Sequence, residues 1–299
     1  MKGELERAAK HWSVPGPATR IGWWYKSAVL QHINELVCGQ ALAGPWAGLQ
    51  KKMRDLCPGT SFQHGISIGC GEGTKELELL KKGIVHKFEL YEISQSRVDR
   101  GRAEAERMGV SDRVTFHVAD VFEQRLTENC FDLVYWNNSL HHMLDVDSAI
   151  RWSHDRLAPG GYFVMDDYVG PSRFQWTIFQ LIVATLVRTA LPRRLRIHPT
   201  KPQRTQSRIA TRPAIKSMIA TDPTEAADSE NILSSVVRTF PEVEIIPTGG
   251  LVYFLALNSL LQNFNDQDDG KFLKLFLSID EKLARMGHTY YAVAIASKR

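Results

Sequence analysis

The side chains best equipped for chemistry follow short apolar runs. Gly69, Gly71 and Gly73 occupy alternate positions in Ile68-Gly69-Cys70-Gly71-Glu72-Gly73-Thr74. Glycines so placed serve a backbone that turns with positive φ or lets a ligand touch the main chain. A pyrophosphate cradle reads Gly-x-Gly-x-x-Gly and sets its phosphates on a helix N-terminus. Here Thr74 stands in place of the last glycine, and acidic Glu72 lies inside the loop. Such a loop suits a cationic ligand better than a phosphate. Glu92 follows about twenty residues later, the spacing at which an acid accepts both hydroxyls of a ribose. Asp120 and the Val121 amide offer a carboxylate and an N–H to an adenine edge. Asn137-Asn138-Ser139-Leu140-His141-His142 brings two imidazoles that titrate near neutrality, and Asp166-Asp167-Tyr168 adds acids and a phenol. Plainer roles compete at each position. Glu92 reads equally as a turn acid, Asp120 as an N-cap, and each histidine as a core or capping residue.

These residues fall into order once the elements that carry them are drawn. Apolar runs at 65–68, 88–91, 114–118, 131–136 and 162–165 predict strands, and the patterns at 75–82, 96–108 and 146–157 predict helices. Gly109 and Gly160-Gly161 mark stops. Strands alternating with helices of this length make a parallel sheet with right-handed crossovers, and that fold binds ligands beyond the carboxyl ends of its strands. Polar residues follow all five runs. Chance does not readily produce that register. S-adenosylmethionine, with its α-ammonium and sulfonium, fits a glycine loop of this kind.

The chain has 299 residues, 43% hydrophobic and 23% charged, which is the composition of an ordinary globular protein. Its formal net charge of +4 does not by itself imply nucleic acid. Cys38, Cys57, Cys70 and Cys130 form no Cys-x-x-Cys pair. Without a signal-peptide pattern they read as reduced thiols of a cytoplasmic protein. The longest apolar stretch, 178–191, is interrupted by Gln180, Thr185 and Arg188, too short and polar for a transmembrane span.

The chain resembles the class I S-adenosylmethionine-dependent methyltransferases. The residues that carry the resemblance are Ile68-Gly69-Cys70-Gly71-Glu72-Gly73, Leu90-Tyr91-Glu92-Ile93-Ser94, Val118-Ala119-Asp120 and Leu157-Ala158-Pro159-Gly160-Gly161, about a third of the chain. The resemblance implies a doubly wound Rossmann-like α/β fold, a seven-stranded sheet whose last strand is antiparallel. It implies that Gly69, Cys70, Gly71 and Gly73 approach the methionyl part of S-adenosylmethionine, and that S-adenosylhomocysteine is the product. Glu92 would hold the ribose, Ile93 would pack on the adenine, and Asp120 with Val121 would meet its amino edge. Asn137 would lie beside the methionine moiety. Asp167-Tyr168-Val169-Gly170-Pro171-Ser172-Arg173-Phe174-Gln175-Trp176 and Asp222-Pro223-Thr224-Glu225-Ala226 are similar to segments of a bacterial group that accompanies polysaccharide or secondary-metabolite pathways. Residues 1–60 match no general motif of the family and read as a helical, aromatic extension.

A minimal fold of this class ends soon after strand five. Here residues 61–168 form the cofactor-binding core, 169–240 a helical and basic insertion, and 241–299 the rest of the core with a second helical insertion. Strands are expected at 243–246 and 290–297, and amphipathic helices at 251–264 and 272–286. Both insertions are expected to cap the strand ends over the substrate. Arg188, Arg193, Arg194, Arg196, Lys201, Arg204, Arg208, Arg212 and Lys216 run without an intervening acid. A solvated face, an anionic substrate and a lipid headgroup remain open as readings of that run. The apolar segment 174–191 is open to burial under the cap, a homodimer interface or peripheral membrane contact. Nucleic acid is not expected as a partner, because the aromatic residues do not interleave with the basic ones.

The expected reaction is methyl transfer to a small-molecule or glycan acceptor, at a hydroxyl oxygen, by in-line displacement. Positioning contributes up to ~7–11 kcal/mol to such a step. A general base adds about 10²–10⁴-fold. His142 is preferred as that base over His141, with Asp167 or Tyr168 orienting it. The two rings are expected to point about 100° apart, so that one alone faces the substrate. Asp145 and Asp147 read as first-turn acids of a helix, and no metal is expected. The alternatives are an inactive cofactor-binding interaction protein, an N- or C-methyltransferase of a secondary metabolite, and more distantly a dehydrogenase.

Overall fold

Seven strands join in one sheet in the computed structural model, which describes residues 2–13 and 22–299. Helices α1 (Lys2–Ser13), α2 (Ser27–Cys38) and α3 (Ala47–Leu56) come first. Then β1 (Phe62–Ile68), α4 (Thr74–Lys81), β2 (Val85–Glu92), α5 (Gln95–Met108), β3 (Val114–Val118), β4 (Phe131–Asn137), α6 (Val146–Arg156) and β5 (Leu157–Tyr168) complete the alternating part. The chain continues through α7 (Ile178–Ala190), a hairpin of β6 (Ile197–His198) and β7 (Lys201–Thr205), α8 (Ile215–Thr221) and α9 (Ile232–Thr239). It ends with β8 (Glu244–Gly249), α10 (Asp266–Arg285) and β9 (Tyr291–Ser297).

The strand order is β3-β2-β1-β4-β5-β9-β8, and β9 runs antiparallel to both of its neighbours. This is the doubly wound sheet expected from the sequence. Strands covered on both faces run near-continuously apolar, as at Leu133–Trp136, and buried Ser67 between Ile66 and Ile68 is paired by donating to Glu76 Oε1 at 2.8 Å. Two cores cover the sheet. One gathers Ile66, Val134, Phe163 and Met165 with Ile150 and Val236, the other Leu77, Phe88, Leu90, Leu133 and Ile295 with Met53 and Val98. After β3 the chain returns across the sheet to β4. The topological switch therefore falls between β1 and β4, where a crevice opens at the strand ends.

A third core joins the two insertions. Ala184, Val187 and Leu191 pack with Tyr253, Leu255, Leu260, Leu273 and Phe276, and with Tyr168, Tyr290 and Tyr291 of the sheet edge. The amphipathic helix expected over 251–264 is absent. Leu251–Ala256 forms a π-turn and Asn258–Asn263 a 3₁₀ turn, with Leu251, Val252, Tyr253, Leu255, Ala256, Leu260 and Leu261 all buried. The buried Asp280 of α10 caps this turn, accepting from the amides of Gly250 (3.0 Å), Val252 (3.0 Å) and Tyr253 (3.2 Å). First-turn amides have no partner within the helix, and this carboxylate supplies one to three of them.

Candidate functional site

The glycine loop sits where β1 meets α4. Gly69, Gly71 and Gly73 all adopt positive φ, at 65°, 61° and 70°. A Cβ on Gly69 would lie 2.9 Å from that of Ser139, so the loop packs directly against the segment after β4. The buried Glu92, at the end of β2, accepts from Gly71 N (3.0 Å) and Ser94 N (2.9 Å). It thereby ties the two neighbouring strand ends together. A carboxylate has about four lone-pair sites, so two remain for a ligand. Asp120 caps the turn after β3, accepting from Phe122 N at 3.0 Å. The capping and ligand-binding readings of Asp120 are compatible, because its residue also lines a cavity.

That cavity, of about 590 Å³, is lined by Gly69, Glu92, Ile93, Asp120 and Val121 among the residues expected to bind a cofactor. Its volume is that of a typical ligand pocket. Cys70, Gly71, Gly73 and Asn137 do not line it. Cys70 is half-buried and points its Sγ at the Gly71 carbonyl. Asn137 is buried, donates from Nδ2 to Tyr135 Oη at 2.6 Å, and offers its carbonyl to Lys75 Nζ at 2.5 Å. Asn138, next in the chain, takes the strained left-handed conformation (φ 53°) and lines the cavity instead.

A second cavity, of about 740 Å³, adjoins the first. Trp23, Trp24, Tyr25, Trp46 and Tyr291 give it aromatic walls, and Lys75, Asp166, His141 and Glu225 bring charge or titratable groups to it. Trp12, Asn138 and His142 belong to both cavities. Beyond the two insertions expected to cap the strand ends, the wall of this cavity has a further source. Most of this wall comes from the N-terminal segment, and the first insertion supplies Glu225. Aromatic residues in that segment were visible in the sequence, but nothing in their spacing told what they cover. Trp12 on α1 is fixed from three sides. Its Nε1 donates to Asp222 Oδ2 (2.9 Å), its carbonyl accepts from Arg97 Nε (2.8 Å), and its ring meets that of His142 edge-on at 5.4 Å.

Both histidines line the second cavity. On the tight 3₁₀ turn Leu140–His142 their rings lie 4.2 Å apart at 38°. His141 Nδ1 lies 2.5 Å from Asp167 Oδ1. Asp167 is wholly buried and also accepts from the amides of Ser139, Leu140, His141 and Tyr168. Burial alone would raise its pKa, but the His141 charge and these donors hold it below the ordinary value. Burial likewise opposes a charge on His141, yet the Asp167 carboxylate prevails and raises its pKa.

His142 goes the other way. Burial first, and then the neighbouring His141, push it down to about 3. Its Nδ1 is 3.1 Å from Thr224 Oγ1, and that hydroxyl donates to Asp222 Oδ1 at 2.7 Å. The network therefore assigns the proton of His142 to Nδ1 and leaves Nε2 as an acceptor. Asp166 faces the second cavity, and its pKa is raised by burial to about 7 despite Lys75. Tyr168, expected near the chemistry, instead packs in the aromatic core and donates to the Pro171 carbonyl at 3.2 Å. Asp222, Thr224 and Glu225 had a sequence signal, the segment Asp222-Pro223-Thr224-Glu225-Ala226, but no role. His141, His142 and Glu225 each bring one ligand atom within 4.8 Å of the others, a cluster the sequence spacing did not reveal.

The methyltransferase-domain family profile matches residues 63–211, which hold every strand end described above except those of β8 and β9. The 27-O-demethylrifamycin SV methyltransferase of Amycolatopsis mediterranei is 31% identical over 40% of this chain and 44% of its own. The chain spans less than half the length of the curated relatives it matches. Among solved structures, geranyl diphosphate C-methyltransferase from Streptomyces coelicolor A3(2) aligns with a TM-score of 0.55 at 13% identity, covering 99% of this chain and 98% of that one. Phosphoethanolamine N-methyltransferase 2 of Haemonchus contortus aligns at 0.53 and 15%, covering 95% and 61%. The names of these proteins span oxygen, carbon and nitrogen acceptors, so likeness alone does not choose the acceptor atom.

Proposed function

Because the chain belongs to the class I S-adenosylmethionine-dependent methyltransferases, we propose that it methylates a hydroxyl oxygen of a small-molecule or glycan acceptor. One observation carries the reading: two cavities meet at Trp12, Asn138 and His142. The first has the donors and acceptors that S-adenosylmethionine needs. Glu92 has two lone-pair sites left for the ribose hydroxyls, Ile93 supplies an apolar surface for the adenine, and Asp120 and Val121 stand at its edge. When bound, the cofactor supplies an electrophilic methyl carbon. The second cavity holds the acceptor, whose rings or sugar faces suit the aromatic walls.

In this reading the proton of the acceptor hydroxyl passes to His141 Nε2. Asp167 keeps Nδ1 protonated and makes His141 the stronger base of the pair. The preference moves from His142 to His141 for that reason. His142, neutral at ordinary pH, accepts a hydrogen bond at Nε2 and orients the acceptor where the cavities join. Trp12 closes the junction against water.

Turnover assays with S-adenosylmethionine and a panel of hydroxylated glycans and aromatic alcohols are the test. Active acceptors are expected to yield S-adenosylhomocysteine and a methyl ether. H141A is expected to lose about 10²–10⁴-fold in kcat with cofactor affinity kept. H142A is expected to act mainly on acceptor KM. A larger kcat loss in H142A than in H141A would hand the role back to His142.

A further inference from the structure

Helix α7 is apolar on two opposite sides. Gln180, Ala184 and Val187, with Leu191 just beyond, are buried, and the three apolar ones join the third core. Ile178, Phe179, Ile182 and Leu186 fall on the far side and are 72%, 46%, 53% and 63% exposed. A helix apolar all round is one that is covered all round, yet in the chain alone half of this one meets water. Neighbouring segments extend the stripe. Ala210 N donates to Thr185 Oγ1 at 3.1 Å, which sets Ile209, 65% exposed, beside α7. Arg212 Nε donates to the Trp176 carbonyl at 2.5 Å and Gln175 Nε2 to that of Pro213 at 3.1 Å, bringing exposed Ile215 to the start of the same helix.

Charge identifies what covers this face. Residues 168–221 contain eight arginines, Lys201 and Lys216, and no Asp or Glu. Five of the cations have partners within the protein. Arg173, Arg188, Arg196 and Arg212 donate to backbone carbonyls, and Arg194 pairs with the Asp269 carboxylate at 2.5 Å. The other five, Arg193, Lys201, Arg204, Arg208 and Lys216, are exposed and have no partner among the described residues. Arg208 directly precedes Ile209. A second copy docked symmetrically on this face would set these cations against their own equivalents. An apolar peptide would leave them unpaired.

We infer that this face seats on an anionic lipid surface, with α7 lying in the interface plane. Ile178, Ile182, Leu186 and Ile209 enter the acyl boundary while the unpaired cations meet the headgroups. The inference stands apart from the methyl-transfer reading and adds a location to it: an acceptor carried in or on a lipid layer reaches the aromatic cavity from a protein already seated there.

Co-sedimentation of the full chain with vesicles tests it. Wild type is expected to bind vesicles of phosphatidylglycerol and phosphatidylcholine at least tenfold more tightly than phosphatidylcholine alone, and to weaken as salt screens the charges. R204E/R208E, on and just after the exposed hairpin, is expected to lose about thirtyfold or more on anionic vesicles, from ~1 kcal/mol per cation. I182E/L186E is expected to lose binding to both vesicles while its circular-dichroism melt stays cooperative. Absence of wild-type binding to anionic vesicles, or equal binding by R204E/R208E, would overturn the inference. So would a wild-type dimer in analytical ultracentrifugation that I182E/L186E splits, since the face would then belong to a second copy.

Discussion

Glu92 and His141 are the single side chains on which the proposed chemistry rests. Each oxygen of Glu92 accepts one amide, from Gly71 and Ser94, which fixes the carboxylate in the position where the proposed reading has it hold a ribose. E92A removes charge-assisted hydrogen bonds worth about 1.5–3 kcal/mol each. Calorimetric titration should show S-adenosylhomocysteine binding weakened by about a hundredfold or more once both ribose bonds are lost, and unchanged affinity would reject the assignment. His141 must be neutral to accept a proton. Its pKa is raised above the ordinary 6.5 by Asp167, so kcat/KM should climb with pH through a value above 6.5. D167N removes the raising charge, and the acid limb of the profile should shift to lower pH as activity falls. A limb that stays in place would separate Asp167 from the proton transfer. Neither the Asp167–His141 pairing nor the Asp222–Thr224–His142 chain could be read from the sequence. They join positions 26 and 82 residues apart, and no local period encodes such contacts.

At the scale of elements, the sequence was most legible where one period governs. The five parallel strands, their helices and the strand-end register all follow from apolar runs and glycine stops. It was least legible at 251–264, where an apolar pattern suited to a helix yields a π-turn and a 3₁₀ turn. A distant acid, Asp280, caps the start of that segment by accepting from three amides, a contact no local pattern shows. D280A leaves those donors buried and unpaired, so it should cost about 3 kcal/mol or more and lower the thermal midpoint by several degrees. A melt identical to wild type would mean that the turn is held by its apolar contacts alone. The basic run of the first insertion also divides on inspection. Arg188, Arg196 and Arg212 serve the fold by bonding carbonyls, and the hairpin cations remain outside.

For the whole molecule, the two cavities define the account. The sheet switch at β1 and β4 makes the first, and the N-terminal segment folds back over the same crevice to wall the second. In the proposed reading, an extension without family motifs shapes the acceptor space on a sheet wound as this class is wound. A crystal structure with S-adenosylhomocysteine tests this most directly. The ribose hydroxyls should bond Glu92, and the sulfur should point at the junction of Trp12, Asn138 and His142. A ligand whose sulfur faces away from that junction, or a first cavity left empty at saturating ligand, would contradict the account.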